Sequence, residues 1–377
     1  MNPNELFCLN PSCPAKGQQG RGNIRVHSQQ AERCICTVCN VTFSTSKGTI
    51  FYRLRTDGQI VLLVLTLLAY GCPTQAAALA FELDERTIKS WWQRAGTHCE
   101  LFHQQMVGGQ QLDLQQVQAR PEGTRIKVKR QGGCCWMALA LMVPTRLWLG
   151  GVVAEKRDKR LIQALVDQIK AIALCRPLLL AVDGFAAYVT AFQASFRASC
   201  PRFGQPGRPQ LVAWPNVAIV QVVKRRLHSG LEIERRIVQG STTLVAQLLQ
   251  STQSAVGVIN TAYIERFNAT MRQRLHWLSR RSRSLALQTQ TLHAGMFIVG
   301  CLYNFCDYHD SLRLKLAVGE HGFRWVQRTP ALAAGLTDHR WSPAELFSFR
   351  LPPEPWSPPK KRGRRSKAMI QLIQQWC

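Results

Sequence analysis

Acidic side chains are scarce in this chain. Of 377 residues only 22 are Asp or Glu, against 48 Lys and Arg, a formal net charge of +26. Such an excess costs self-repulsion, and a polyanionic partner relieves it. Nucleic acid is the expected partner, with a membrane surface or a ribosome as the other sources of negative charge. Long hydrophobic runs are also missing. The longest, IVLLVLTLLAY (60–70), is shorter than the roughly 20 residues a membrane span needs, so it reads as a buried helix and no membrane segment is expected. The start, MNPNELFC, is neither basic nor apolar, which is unlike a signal peptide. A cytoplasmic, nucleoid-associated protein fits both absences.

Cysteine is not scarce: there are 14. Most are scattered, as reduced cysteines packed like small hydrophobes are. The exception is 8–39, where CLNPSC is followed by a Gly-rich basic stretch and then RCICTVC. Cys8, Cys13, Cys36 and Cys39 offer four thiolates to one structural Zn2+ in a region with little core of its own. Cys34 is a surplus thiol that could replace Cys36.

After the apolar helix, Pro73 and Thr74 open a short Ala-rich helix. Asp84 is a candidate N-cap for ERTIKSWWQRAG. Ala77, Leu83, Ile88 and Trp92 have the spacing of a small three-helix core. Arg86, Thr87, Lys89, Ser90 and Gln93 would then face outward, as on a helix that reads a DNA major groove. A plain helical linker is the alternative. His98 and His103 read as structural or exposed.

From about residue 110 the periodicity changes to that of strands. LDLQQVQA (112–119), TRIKVK (124–129), CCWMALALMV (134–143) and RLWLGGVVA (146–154) are predicted strands, followed by a helix over 158–173. PLLLAVD (177–183) is a buried strand, and AIVQVVKRR (218–226) another. A helix carrying Glu265 comes later. This is a mixed α/β layered domain whose element order matches the ribonuclease-H-like topology. Scarce carboxylates at such places ask for a reason. Asp183, ending a buried strand, and Glu265, on a basic helix, could hold two Mg2+ or Mn2+ ions about 4 Å apart for phosphodiester chemistry. Their bland alternatives are a strand-end cap and a surface ion pair. Asn268, Arg272, Arg274, Arg280 and Arg281 follow Glu265 and would lie along a DNA track. Lys360, Lys361 and Arg362, in the Pro-rich tail, would add phosphate contacts. AMIQLIQQWC (368–377) reads as a short amphipathic helix that docks on the protein or a second subunit.

Five words, WMALALMVPTRLWLGGVV, LLLAVDGFAAYV, NTAYIERFNATMRQRLHWLSRRSRSLA, YNFCDYHDSLR and RTPALAAGLTDHRWSPAELF, resemble in order the DDE-type transposases of bacterial insertion sequences. The resemblance is to the group with a zinc ribbon and a helix-turn-helix before the core, and it extends from about residue 8 to 347. It implies metal-dependent cleavage and joining of double-stranded element-end DNA by a dimer or higher oligomer, with Asp183 as second acid and Glu265 as third. It also implies a zinc ribbon (1–52), a helix-turn-helix domain (53–108), a ribonuclease-H-like domain (109–318), a C-terminal extension (319–350) and a basic tail (351–377).

The first acid departs from the family pattern. It normally follows VQ and a small residue, but here VQA runs into Arg120 and Pro121. Three readings stay open. Asp113, seven residues upstream, is the first acid; or Glu122 is recruited; or the site is incomplete and Arg120 enters it, pairing with Asp183 and Glu265. In the last case the protein is a transposase-derived DNA-binding factor without catalysis.

Overall fold

The computed structural model describes residues 2–376 except 129–130, 203–206, 228–229, 253–256, 276–277, 279–288, 320–321, 355 and 359–362, with side chains at 124–134, 226–227 and 231 also left aside. Contacts divide the chain into two compact units, Met1–Leu62 with Ala344–Cys377, and Leu63–Pro343.

The first unit is built on a small antiparallel sheet of β1 (Ile24–Ser28), β2 (Arg33–Cys36) and β3 (Thr42–Ser44). Its core is small: Ala15, Ile24 and Phe43 with the buried cysteines, and Trp376 packs against it. Gln18 Nε2 donates to the Trp376 carbonyl at 2.5 Å, so the terminal amphipathic segment docks on its own chain. A core this small needs a further cross-link to be stable.

Helix α1 (Gly58–Ala69) leads into the second unit. There α2 (Thr74–Ala80) and α3 (Glu85–His103) are joined by a tight turn, with Glu82 at φ +52°. Asp84 caps α3 by accepting from the Arg86 amide at 2.7 Å. Ala77, Ile88 and Trp92 are buried, as their spacing predicts, and Leu83 is half-buried. His98 and His103 are both buried. The His103 ring lies 4.5 Å from Trp148, and burial pushes its pKa down to about 4, consistent with a structural role.

The centre of this unit is an open six-stranded mixed sheet. Its strands are β4 (Gln116–Val128), β5 (Gln131–Met142), β6 (Trp148–Ala154), β7 (Leu178–Asp183), β10 (Val217–Leu227) and β11 (Gly230–Gln239). The spatial order is β11-β10-β7-β4-β5-β6. β4, β5 and β6 run antiparallel in sequence, while β7 is parallel to both β4 and β10. The order reverses at β4 and β7, so the C-terminal ends of these strands form a crevice of the kind in which open α/β sheets hold ligands. Near-continuous apolar sequence in β5 and β7 follows from burial on both faces. Helix α4 (Lys159–Ile172) covers the sheet, and α5 (Ala186–Ser195) packs against it. Two strands, β8 (Arg197–Cys200) and β9 (Gln210–Ala213), form a separate exposed pair. Helices α6 (Thr242–Thr252), α7 (Ala262–Arg274) and α8 (Thr289–Phe305) follow. The YNFC word explains itself here. Asn304, fully buried on α8, accepts from the Trp148 amide and donates to the Trp148 carbonyl, both at 2.9 Å.

One sequence expectation is corrected. The strands expected over 112–119 and 124–129 are one strand, so the residues ARPEG that depart from the family word lie inside β4, not in a loop. Pro121 is tolerated because β4 pairs with β7 only as far as Ala119 opposite Val182, so no ladder bond to β7 is lost. The outermost strand, β11, was not expected. The chain then continues through a hairpin of β12 (Leu314–Val318) and β13 (Gly322–Val326). Short helices α9 (Pro330–Ala333) and α10 (Pro343–Ser348) and the terminal α11 (Lys367–Trp376) complete it. Among the described residues no helix is long and apolar enough to cross a membrane.

Candidate functional site: a cation-paired carboxylate crevice and a four-cysteine cluster

Asp183 ends β7 because a strand buried on both faces can place a polar residue only at its end. Its Oδ1 accepts from the Phe185 amide at 3.2 Å, the local cap that the bland reading supplies. Its Oδ2 accepts from Arg157 at 2.9 Å. The Arg157 guanidinium is itself held 4.4 Å over the Phe185 ring.

Glu265 is positioned from β4. Gln116, Gln118 and Arg120 alternate along the strand and share one face. The first bonds Thr252 through its Oε1, at 2.6 Å. The second, fully buried, accepts from the Tyr263 and Ile264 amides at 3.0 and 3.1 Å and donates to the Asn260 carbonyl at 2.8 Å. Gln118 thus satisfies orphan amides at the N-terminus of α7 and fixes that helix against β4. Arg120, the third, then reaches Glu265, with Nη1 2.6 Å from Oε1. Lys224 on β10 donates to both oxygens of Glu265 at 2.6 and 2.7 Å, and Thr261 Oγ1 donates to Oε1 at 2.6 Å.

Asp183 and three groups that pair with Glu265 line one crevice. Asp183, Arg120, Arg157, Lys224 and Thr261 all line a cavity of about 320 Å³. Arg120 acts electrostatically on both acids. Burial raises the Asp183 pKa, against the Phe185 amide and the two arginines, and the net direction is up. Burial also opposes ionisation of Glu265, but the bonds from Lys224 and Thr261 and the charge of Arg120 outweigh it, and its pKa is lowered. Three cations therefore face two carboxylates, a surplus of one positive charge. Such a site repels a divalent cation and suits a phosphate group.

Arg120 is the neighbour of Asp183 across the β4–β7 ladder. β4 and β7 are parallel with Ala119 opposite Val182, so the next residues along each are Arg120 and Asp183. Asp113 lies before the first residue of β4, and Gln116 is already opposite Leu179, so Asp113 is at the other end of the strand. The strand from Gln116 to Arg120 alone covers about 13 Å, and Asp113 lies beyond its start. The structure does not bring Asp113 to the crevice. Glu122 shares the Arg120 face of β4 but is paired with Arg272 at 2.8 Å.

The expected DNA-contact residues divide. Arg86 and Lys89 are exposed on α3, the latter 3.5 Å from Glu85. Gln93 is not free: its Nε2 reaches Thr291 Oγ1 at 3.4 Å on α8. Asn268 is only 1% exposed and is part of the packing, because the i+3 position from Glu265 turns it into the α7 interface. Arg272 is committed to Glu122, and Arg274 to Asp307 at 2.7 Å beneath the Tyr70 ring. Arg280, Arg281, Lys360, Lys361 and Arg362 lie outside the described residues. Missed in the sequence were Arg157, Lys224, Thr261 and Gln118. Only Gln118 left a signal there, as part of the VQA word.

In the first unit Cys8, Cys13, Cys36 and Cys39 place their sulfurs within 4.8 Å of one another. The Cys8–Cys39 and Cys13–Cys36 sulfurs are 3.7 and 3.9 Å apart. A tetrahedral ion with Zn–S bonds of about 2.3 Å sets its sulfurs roughly 3.8 Å apart, so the donor set fits Zn2+. Burial pushes Cys13 up to about 12. Burial does the same at Cys39, but hydrogen bonds from Asn10, Val41, Cys8 and Cys13 outweigh it and bring that thiol to about 7. Cys34 is buried beside the group and is not one of the four.

No protein-family model matches the chain, and no curated protein matches it. The buried four-cysteine cluster and the helix-flanked mixed sheet are compatible with a nucleic-acid-processing protein in general.

Proposed function

We propose that this chain is a transposase-derived DNA-binding protein in which side-chain cations stand where the metal ions of a DDE centre would lie. The single observation behind this reading is Arg120, next along the sheet from Asp183 and 2.6 Å from Glu265. The mixed strand order supports reading the sheet as a ribonuclease-H-like core with β11 added beyond it. The two helices joined by a tight turn are read as a helix-turn-helix with Arg86 and Lys89 facing DNA, and the cysteine cluster as a zinc ribbon. The charge of +26 supplies phosphate affinity. Paired binding of two copies on DNA is part of the proposal, by resemblance, as is a nucleoid location.

A second reading, strand transfer by a DDE centre, is supported by Glu265 pairing with Arg120, Lys224 and Thr261, which line the same cavity as Asp183. It requires Arg120 to leave Glu265 and Glu122 to leave Arg272, so that three carboxylates face the metals.

One experiment separates the two. The purified protein is incubated with duplex DNA bearing the ends of its element and Mn2+, beside Glu265→Gln. Salt-sensitive binding without joined product is expected. Metal-dependent joining that Glu265→Gln abolishes would establish the enzyme instead.

A further inference from the structure

The hairpin of β12 and β13 is exposed on both faces. Val326 is half-buried, and the other large apolar side chains range from 41% exposed at Leu314 to 57% at Val318, with Phe323 at 54% and Trp325 at 42%. Lys315 is opposite Trp325 and Ala317 opposite Phe323, so these four share one face of the pair. A lone two-stranded hairpin is marginally stable, and one that shows so much apolar surface is built to be covered.

Charge selects what covers it. The two strands carry Lys315 and Arg324 and no acidic residue. A second copy of this chain would set the same cations against each other, whereas a polyanion complements them. The cations are also held beside the rings. The Arg313 guanidinium lies 4.2 Å from the Trp325 ring centre, and Lys315 Nζ lies 4.0 Å from that of Phe323. Aromatic rings flanked by cations are how proteins hold unpaired bases, the ring taking the base and the cation its phosphate. Within a duplex the base faces are covered by their neighbours, so an intact helix offers these rings nothing to stack on.

The root of the hairpin is anchored to the body of its unit through α8 and α7. The His309 amide donates to the Arg328 carbonyl at 3.1 Å, and Arg328 Nε donates to the Leu312 carbonyl at 2.8 Å. The His309 ring packs 4.6 Å from Tyr303, which packs 4.6 Å from Phe267, two residues from Glu265 on α7.

From this we infer that the hairpin is an arm that holds unpaired bases of a nucleic acid, stacked on Phe323 and Trp325. This deepens the nucleic-acid reading above and rests on it. The test is fluorescence anisotropy of the full chain with a labelled single strand and with a blunt duplex of the same length. The variants are Phe323→Ala with Trp325→Ala, and Phe323→Tyr with Trp325→Phe. Loss of about tenfold or more in single-strand affinity is expected for the alanine pair, with duplex affinity little changed and the aromatic pair close to the parent. Equal loss on both probes, or loss on neither, overturns the arm while leaving duplex binding intact. Sedimentation showing a dimer that the alanine pair dissociates assigns the face to a second copy and also overturns it. Failure of the parent protein to bind either probe removes the nucleic-acid reading itself.

Discussion

The guanidinium of Arg120 lies 2.6 Å from Glu265 Oε1, joining the strand at the centre of the sheet to the helix that carries the second carboxylate. Both side chains are about one-third exposed, at 33% and 29%, so solvent weakens the pair without cancelling it. The same arginine also favours ionisation of Asp183. One residue thus acts on two acids, and its removal has consequences that can be measured.

Acid stability should register this. The Glu265 pKa is held below its ordinary value of 4.5. Its stabilising contribution is therefore present above that value and is lost as pH falls through the folded pKa. Asp183 has the opposite sign: with its pKa raised from 3.8, its contribution is present at low pH and is lost as pH rises through the folded value. Arg120→Ala should move both pKa values upward, so that the Glu265 contribution fades at a higher pH. Denaturant midpoints of parent and variant across the acidic range check this. Superimposable pH profiles would show that Arg120 governs neither acid.

Restoring an acid should invert the electrostatics. In Arg120→Asp three carboxylates would face Arg157 and Lys224, and the site would change from net positive to net negative. Calorimetric titration with Mn2+ is expected to show binding at the crevice in the variant, lost again on adding Glu265→Gln, and none in the parent. Equal Mn2+ binding by parent and variant would contradict the cation-closed site.

The cap on α7 should matter for stability as well as position. Gln118→Leu leaves the Tyr263 and Ile264 amides without their acceptor. A buried unsatisfied donor costs about 1–3 kcal/mol, and at least that total loss is expected in urea unfolding. A variant as stable as the parent would mean that water or relaxation of the loop before α7 replaces the glutamine.

Metal removal should act on the first unit. One Zn2+ per chain is expected by elemental analysis, and a strong chelator or Cys36→Ser should unfold the β1–β3 region, because its core is mostly the cysteines themselves. Hydrogen exchange should then show lost protection over Ile24–Ser44, with the six-stranded sheet unaffected. Retained protection after complete metal loss would assign the cluster a role other than folding.

Much of this was legible in the chain. Period-two alternation and continuous apolar runs located the strands that end at Met142 and Asp183, because both are buried on two faces. The spacing of Cys8, Cys13, Cys36 and Cys39 located the cluster, and Asp84 its helix. What could not be read was pairing. Arg157, Lys224 and Gln118 look like any basic or amide residue until β4, β7 and β10 are laid side by side. Asn268 and Arg274 sit in a basic stretch that invites a DNA contact, yet helix geometry turns one into the core and the other onto Asp307. The hairpin at 314–326 left only a weak alternation, since no face of it is buried.

The sequence alone determined the balance of charge, the four thiols and the two carboxylates at the end of a buried run and on a basic helix, because these depend on residue type and local spacing. The parallel register of β4 with β7, which sets Arg120 beside Asp183 and under Glu265, was decided only by the tertiary structure. A one-residue slip in that ladder would turn the arginine to the opposite face of the sheet, and nothing local to residues 117–123 fixes the ladder against its partner strand.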